Sequence, residues 1–458
     1  MARIALYLVP VLTVAFAAFA LLVVGGARPI VGASLYGGPT RGAKVLSWRL
    51  EVSQELGTVR SPLGLGAVAV EVDLGQGRRA SWQGPVDERG DAFIAIQVPG
   101  APVTGPVAVA VTTPAVAHDL ARGRVELETG DWIDRAQWRG GWIKGRQQGA
   151  LTVDVAAARG LLAVPFADPL LVQVRDGSVP VPAARLDLRP EGLEVLPPRR
   201  GREHRTGPTG RALLRVVPNE HVCALRVTVN APDGRKGEWY STVPVLPGAL
   251  HASWQKQGLV IRSPVPRDRA YYALIDERQR WAGGIVELTP DSEGGASGLV
   301  GLAALPDQPI WAMVGGDADL LPTSAVGWPL APLKDGVEGV VQSASTGPLR
   351  SLTVPDQQLL DGLVNARRLD ERRRRRARGL TAVYVGLALA LVALLIARRA
   401  RESQSRLEEH LARNAEGIEG AERIAPPRQA AWWTLLVALL CVGLGFMMIM
   451  LLVMYQAY

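Results

Sequence analysis

Ala67-Val68-Ala69-Val70-Glu71-Val72-Asp73-Leu74 sets Val68, Val70, Val72 and Leu74 on one side and Ala67, Ala69, Glu71 and Asp73 on the other, and Gly75-Gln76-Gly77 ends the run. A period of two is that of a half-buried strand, and two glycines around one polar residue make a turn. The same signature recurs at Phe93–Val98, Val107–Val111, Leu213–Val217, Leu225–Val229, Leu299–Leu302 and Ile310–Val314. Short strands punctuated by Gly, Pro and Asp specify antiparallel sandwiches or barrels, not a parallel sheet covered by helices. Helical periodicity is nearly absent from residues 28–350, so less than ~15% helix is expected there.

A weak internal repeat divides this region. Glu88-Arg89-Gly90-Asp91-Ala92 leads into an apolar strand that closes at Val98-Pro99, with another strand after a short gap. Pro208-Thr209-Gly210-Arg211-Ala212 does the same up to Val217-Pro218, and Glu293-Gly294-Gly295-Ala296 repeats it less faithfully up to Leu305-Pro306. The Gly supplies a positive φ, the next strand enters the core, and the Pro ends ladder pairing. Three copies give units of about 80–120 residues, the size of an immunoglobulin-like sandwich.

The stretch Val172-Gln173-Val174-Arg175-Asp176-Gly177-Ser178-Val179-Pro180-Val181-Pro182-Ala183-Ala184-Arg185-Leu186, with the turn Thr206-Gly207-Pro208-Thr209-Gly210-Arg211-Ala212, resembles bacterial Ig-like, macroglobulin-type and carboxypeptidase-regulatory-like domains. The resemblance implies a β-sandwich and says little of function; the Cys-Gln thioester pair of complete macroglobulins does not accompany it.

The expected fold is therefore mainly β, tandem immunoglobulin-like sandwiches with three transmembrane helices. The domain scheme is a helix or signal anchor over 4–26, sandwich 1 over 28–130, a Trp-rich linker over 131–150, sandwich 2 over 151–248 and sandwich 3 over 249–332. A linker over 333–354, an amphipathic Arg-rich stalk helix over 355–378, a span over 380–397, a loop over 398–430 and a span over 431–454 complete it. Each of the three apolar runs approaches the ~20 residues that cross a hydrocarbon core of ~30 Å. Gly25-Gly26-Ala27 also suits a signal-peptidase site, but signal h-regions are usually ~7–15 residues, so an uncleaved anchor is favoured. Neither late span contains Asp, Glu, Lys, Arg or His, which reads as anchoring or packing and not as an ion route. Gly386, Gly443 and Gly445 permit close helix approach there.

The charge is local. Of the formal net +8, the segment Arg367, Arg368, Arg372, Arg373, Arg374, Arg375, Arg376 and Arg378, set against Asp370 and Glu371, supplies most, and residues 28–366 carry no net charge. A neutral body has no footprint for nucleic acid. The Arg run precedes a span, so lipid headgroup phosphates are its nearer polyanion. An N-terminal export-like segment places the body outside the cytoplasm, whereas eight Arg on that side oppose the positive-inside tendency. The extracytoplasmic placement is adopted because long domains translocate largely regardless of charge.

No residue set amounts to an active site. His118, His204, His221, His251 and His410 show no metal-ligand spacing and read as surface or loop histidines, and Cys223 and Cys441 cannot pair. No nucleophile elbow, P-loop or dinucleotide fingerprint is present. Asp131, Trp132, Asp134, Trp138 and Trp142 lie close together, either as an aromatic binding patch with an acidic rim or as a linker whose indoles wedge two sandwiches together. The expectations are a non-enzymatic structural, adaptor or ligand-binding component of a bacterial envelope complex, multi-pass in the inner membrane with a periplasmic body, or else an accessory subunit of a membrane enzyme or transporter. The lipid bilayer and a membrane or envelope protein are its partners, and no cofactor is implied.

Overall fold

The computed structural model describes residues 29–38, 45–127, 136–330 and 348–415, apart from short gaps at 102, 104, 198–202, 256–257, 277–278, 293, 303–308 and 322, together with a few positions between 10 and 22. The first span largely, and the third entirely, lie outside the described residues.

Sandwich 1 uses β1 (Ile30–Gly37), β2 (Val45–Leu56), β3 (Val59–Pro62), β4 (Leu65–Gly75), β5 (Arg78–Val86), β6 (Asp91–Gln97), β7 (Gly105–Thr112) and β8 (Ala121–Leu127). One sheet runs β3-β2-β1 with β6 also on β2, and the other runs β5-β4-β7-β8. The alternation that opens the sequence is that of β4, whose Val68, Val70 and Val72 are buried while Glu71, Asp73 and Gly75 are exposed.

After β9 (Gln137–Arg139), sandwich 2 comprises β10 (Arg146–Gly149), β11 (Thr152–Ala157), β12 (Leu162–Ala163), β13 (Asp168–Asp176), β14 (Val179–Pro180), β15 (Arg185–Glu191), β16 (Leu193–Val195), β17 (Arg211–Pro218), β18 (Cys223–Asn230), β19 (Lys236–Val243) and β20 (Val245–Leu246). Its sheets are β10-β19-β18-β15 and β11-β13-β17-β16, closing on Val172, Leu214, Val227 and Trp239. Sandwich 3 comprises β21 (His251–Gln255), β22 (Gly258–Ser263), β23 (Arg269–Ile275), β24 (Arg280–Glu287), β25 (Thr289–Pro290), β26 (Ala296–Val300), β27 (Ile310–Gly315) and β28 (Ala325–Leu330), in sheets β21-β22-β26-β25 and β24-β23-β27-β28.

The repeat is the topology. Each Gly turn feeds a strand of one sheet (β6, β17, β26), and the next long strand (β7, β18, β27) crosses to the other sheet. The turns close alike: Asp87 N–H donates to Asp91 O at 3.0 Å, Gly207 N–H to Arg211 O at 2.7 Å, and Asp291 N–H to Gly295 O at 3.0 Å. Gly90, Gly210 and Gly294 have φ of 80°, 70° and 87°, which glycine adopts without a Cβ penalty.

Three boundaries differ from expectation. First, β29 (Ser351–Thr353), inside the expected linker, pairs with β9. The two cover the outer face of the β23–β28 sheet, so Tyr271, Ala273, Ile275, Trp311 and Met313 form a second core with Leu352 and Val354, Phe93 of sandwich 1 packing against it. Strands β27 and β28 are accordingly buried on both faces.

Second, residues 357–361, expected in the stalk helix, form β30 (Gln357–Asp361), which adds antiparallel to β1 with Ser34 opposite Asp361 and Gly37 opposite Gln357. The open edge of β1 supplies backbone partners that outweigh a helical start after Pro355, and Asp356 pairs with Arg280 rather than capping a helix. The chain thus leaves the sandwiches from the first of them. Third, helix α1 (Gly362–Ala415) begins only after β30 and continues well into the expected loop over 398–430. Gly362 sits where a Cβ would collide with the carbonyls of Ala33 and Leu120. Among the described residues one helix, not three, is long and apolar enough to cross a membrane.

Two compact units partition the chain. One holds residues 1–31, 54–61 and 363–458; the other holds 32–53 and 62–362, and so the greater part of all three sandwiches.

Candidate functional site

The titratable side chains that the fold buries together lie at the joints between sandwiches. Arg159, in the turn after β11, donates from Nη1 to Asp168 Oδ1 at 3.0 Å, from Nη2 to Ala252 O at 2.5 Å and from Nε to Pro329 O at 3.3 Å. Its guanidinium lies 4.8 Å from the Trp328 ring centroid. His251 Nε2 is 3.0 Å from Asp168 Oδ2, and its ring stacks on Phe166 at 5.0 Å. Sandwich 2 supplies Arg159 and Asp168; sandwich 3 supplies His251 and Trp328.

Burial pushes the His251 imidazole below its usual range, against the opposing pull of Asp168. Burial raises Asp168, yet Arg159 and His251 together hold it below the ordinary carboxylate range. His251 Nε2 faces both Asp168 Oδ2 and, at 3.2 Å, Arg159 Nη1, while Nδ1 is buried without a hydrogen-bond partner among the described residues. An Asp–His pair is two-thirds of an acyl-transfer triad, but no nucleophilic side chain among the described residues hydrogen-bonds to Nδ1, and the side chains of His251 and Asp168 are 5% and 2% exposed. The arrangement serves as an electrostatic bolt. Breaking such a pair from one side costs roughly 3–5 kcal/mol. His251 thus corrects the reading of all five histidines as surface or loop residues; its partners lie 83 and 92 positions away, and no local pattern announces them.

A second cluster joins sandwich 1 to sandwich 3. Arg49 Nη1 donates to Asp91 Oδ1 at 3.1 Å, lies 3.7 Å from Glu51 and packs 4.3 Å from the Tyr36 ring centroid. Arg49 Nε is 3.9 Å from Asp356 Oδ2, and Asp356 Oδ1 accepts from Arg280 Nη2. Nearby, Arg269 donates to Asp87 at 3.1 Å. Desolvation pushes Asp91 up to about 6 against the attraction of Arg49, with Asp87 and Glu51 adding repulsion.

Of the aromatic patch, Trp138 and Trp142 are among the described residues. Trp138, on β9, meets Trp311 edge-on at 6.0 Å, and Trp311 Nε1 donates to Arg350 O at 2.9 Å. Trp138 and Trp142 are each 38% exposed, and no ring contact joins them. Trp132, Asp131 and Asp134 lie outside the described residues. Trp138 thus packs against an aromatic ring of sandwich 3.

The Arg run, residues 367–378, occupies just over three turns of α1. Arg367 forms a bidentate pair with Glu55 at the tip of the β2–β3 hairpin, Arg373 and Arg374 pair with Asp370 at 3.1 and 2.7 Å, and Arg375 lies 3.7 Å from Glu371. Arg368, Arg372, Arg376 and Arg378 are exposed and form no ion pair among the described residues. At about 1.5 Å per residue, Arg376 and Arg378 stand roughly 3–6 Å above Leu380, and Arg368 about 18 Å. Gly386 faces open space, with nothing within 4 Å of where a Cβ would stand. Gly443 and Gly445 lie outside the described residues.

No protein-family model matches the chain. No curated protein matches it in sequence. Solved structures that align with it include a tetra-tandem repeat from the extending region of a large adhesion protein, at 13% identity over 66% of this chain and 73% of that one, TM-score 0.16. The Escherichia coli adhesin FdeC aligns at 12% identity over 67% of this chain and 99% of that one, TM-score 0.17. Escherichia coli alpha-2-macroglobulin aligns at 10% identity over 69% of this chain and 23% of that one, TM-score 0.18. At such scores these likenesses carry no argument, and the sandwich assignment rests on the sheets themselves.

Proposed function

We propose that the chain is a non-catalytic, membrane-anchored structural, adaptor or ligand-binding component of a bacterial envelope complex, with its sandwiches on the periplasmic side of the inner membrane. The observation that carries this reading is the junction at Asp361–Gly362, where the strand added to the first sandwich runs without a break into an apolar helix. An arrangement of that kind transmits position and load between a β body and a bilayer. The buried titratable groups are engaged in holding sandwiches together, which favours a scaffold over an enzyme. The exposed Leu407 and Leu411, one turn apart beyond the apolar stretch, favour a second reading as an accessory subunit that docks a partner on the opposite side.

Substituted-cysteine labelling in intact cells tests the placement, in a chain carrying Cys223→Ala and Cys441→Ala. A membrane-impermeant maleimide should label Val179→Cys, which is 62% exposed in sandwich 2, and should reach Glu408→Cys only after the inner membrane is permeabilised. The reverse pattern would put the body in the cytoplasm and overturn the reading.

A further inference from the structure

We infer that the outer face of the β5-β4-β7-β8 sheet is a self-association surface, on which a second copy of this chain packs about a two-fold axis running along β7. Glu71 lies opposite Ser81 on β5 and Ala110 on β7, and Ala110 lies opposite Arg122 on β8. One step along, Asp73 lies opposite Arg79 and Ala108, and Ala108 lies opposite Arg124. Residues directly opposite one another share a face, and the valines of β4 and β7 turn the other way into the core. Of the outward set, Ala110 is half-buried and the others are exposed.

The face thus carries an acidic column on β4, a column of small side chains on β7 and a basic column on β8, each ~4.8 Å from the next. A shallow depression over Ala108 and Ala110 has Glu71 and Asp73 on one wall and Arg122 on the other. The alanine column holds acids and bases ~9–10 Å apart at the backbone. Glu71, Asp73 and Arg124 form no ion pair among the described residues, and Arg122 pairs with Asp119 of its own chain. Both signs stand side by side, so a polyanion or a polycation would meet repulsion as well as attraction.

A second copy meets the pattern in full. A half-turn about an axis lying in the face along β7 sets β7 over its own copy and β4 over β8 of the other chain, with heights along the strands unchanged. Glu71 then meets Arg122 of the second copy, Asp73 meets Arg124, and symmetry doubles both pairs. Ala108 and Ala110 meet their own copies, where small side chains let the sheets close to the usual ~10 Å. An axis along β4 would set acid on acid, one along β8 arginine on arginine, and one between β4 and β7 would set Arg79 on Arg124. Four strands and about five residues of each make a face of roughly 300 Å² per copy, well under the ~800 Å² of a stable interface. The dimer is therefore weak, and salt weakens it further.

Cross-linking of the full chain carrying Cys223→Ala and Cys441→Ala tests this. With Ala108→Cys, a membrane-permeant bismaleimide about as long as the ~10 Å sheet spacing, added to intact cells, should give a product of twice the chain mass. Gln83→Cys, exposed on β5 and ~19 Å from its own copy in this packing, should give several-fold less. Arg124→Glu sets like charges across the face and should cut the linking through Ala108→Cys several-fold. Adding Asp73→Arg reverses the pair and should restore it, which a folding defect would not do. Equal linking at the two positions, linking indifferent to Arg124→Glu, or no recovery on reversal would overturn the inference. So would a product of some other mass, which marks a different partner, or an Ala108→Cys thiol that a monofunctional maleimide cannot reach, which means that the chain itself covers the face.

Discussion

At the scale of single residues, the fold concentrates its buried charge where one sandwich meets another. Arg49, Asp91, Arg280 and Asp356 come from three separate parts of the chain, and Arg159, Asp168 and His251 from two sandwiches. Asp91 gives this a measurable consequence. Its carboxyl, raised from 3.8 to about 6 by desolvation ahead of the pull of Arg49, holds its proton more tightly folded than unfolded. A group raised in this way favours the folded state most below the unfolded value, and that contribution is lost as pH rises through about 6. Unfolding of the wild type and of Asp91→Asn, compared from pH 4 to pH 7, should show the wild type losing on the order of 2–3 kcal/mol relative to the variant. A wild type that gains on the variant over that range would show that Arg49, not burial, governs Asp91.

At the scale of elements, the Gly turns at Gly90, Gly210 and Gly294 were readable from local chemistry, because each turn needs a positive φ and each following strand a period of two. The Arg run before the apolar stretch was equally plain. β30 was not: Gln357-Gln358-Leu359-Leu360-Asp361 has no strict alternation, and only the open edge of β1, more than 300 residues earlier, makes it a strand. The same holds for β29, whose partner β9 is three residues long, and for both ion clusters, whose members are dispersed along the chain. Periodicity reports what a segment does by itself and is silent on what a distant edge imposes. Gly327 tests the β29 joint. A Cβ there would strike the Leu352 backbone, so Gly327→Ala should unseat β29 at a cost of about 1–3 kcal/mol. Trp138 fluorescence should shift toward that of exposed indole, and protease should cut near Ser351 earlier than in the wild type. Unchanged protection would mean that β29 does not cover the sheet.

At the scale of the whole molecule, the sequence suggested sandwiches in a row with a stalk leaving the last. Instead, sandwich 3 is covered on a second face by β29 and Phe93, an ion pair ties it to sandwich 1 and buried hydrogen bonds tie it to sandwich 2, and the chain returns to sandwich 1 before entering α1. The pairing of β30 with β1 is the central claim, since it decides which sandwich the chain leaves before α1. It is tested by Tyr36→Cys with Gln358→Cys, opposite one another in the ladder, in the full chain lacking Cys223 and Cys441 and carrying a protease site within 333–347. After oxidation and cleavage the fragments should remain joined until reductant is added. Fragments that separate without reductant, with the same chain still folded, would contradict the return of the chain to its first sandwich.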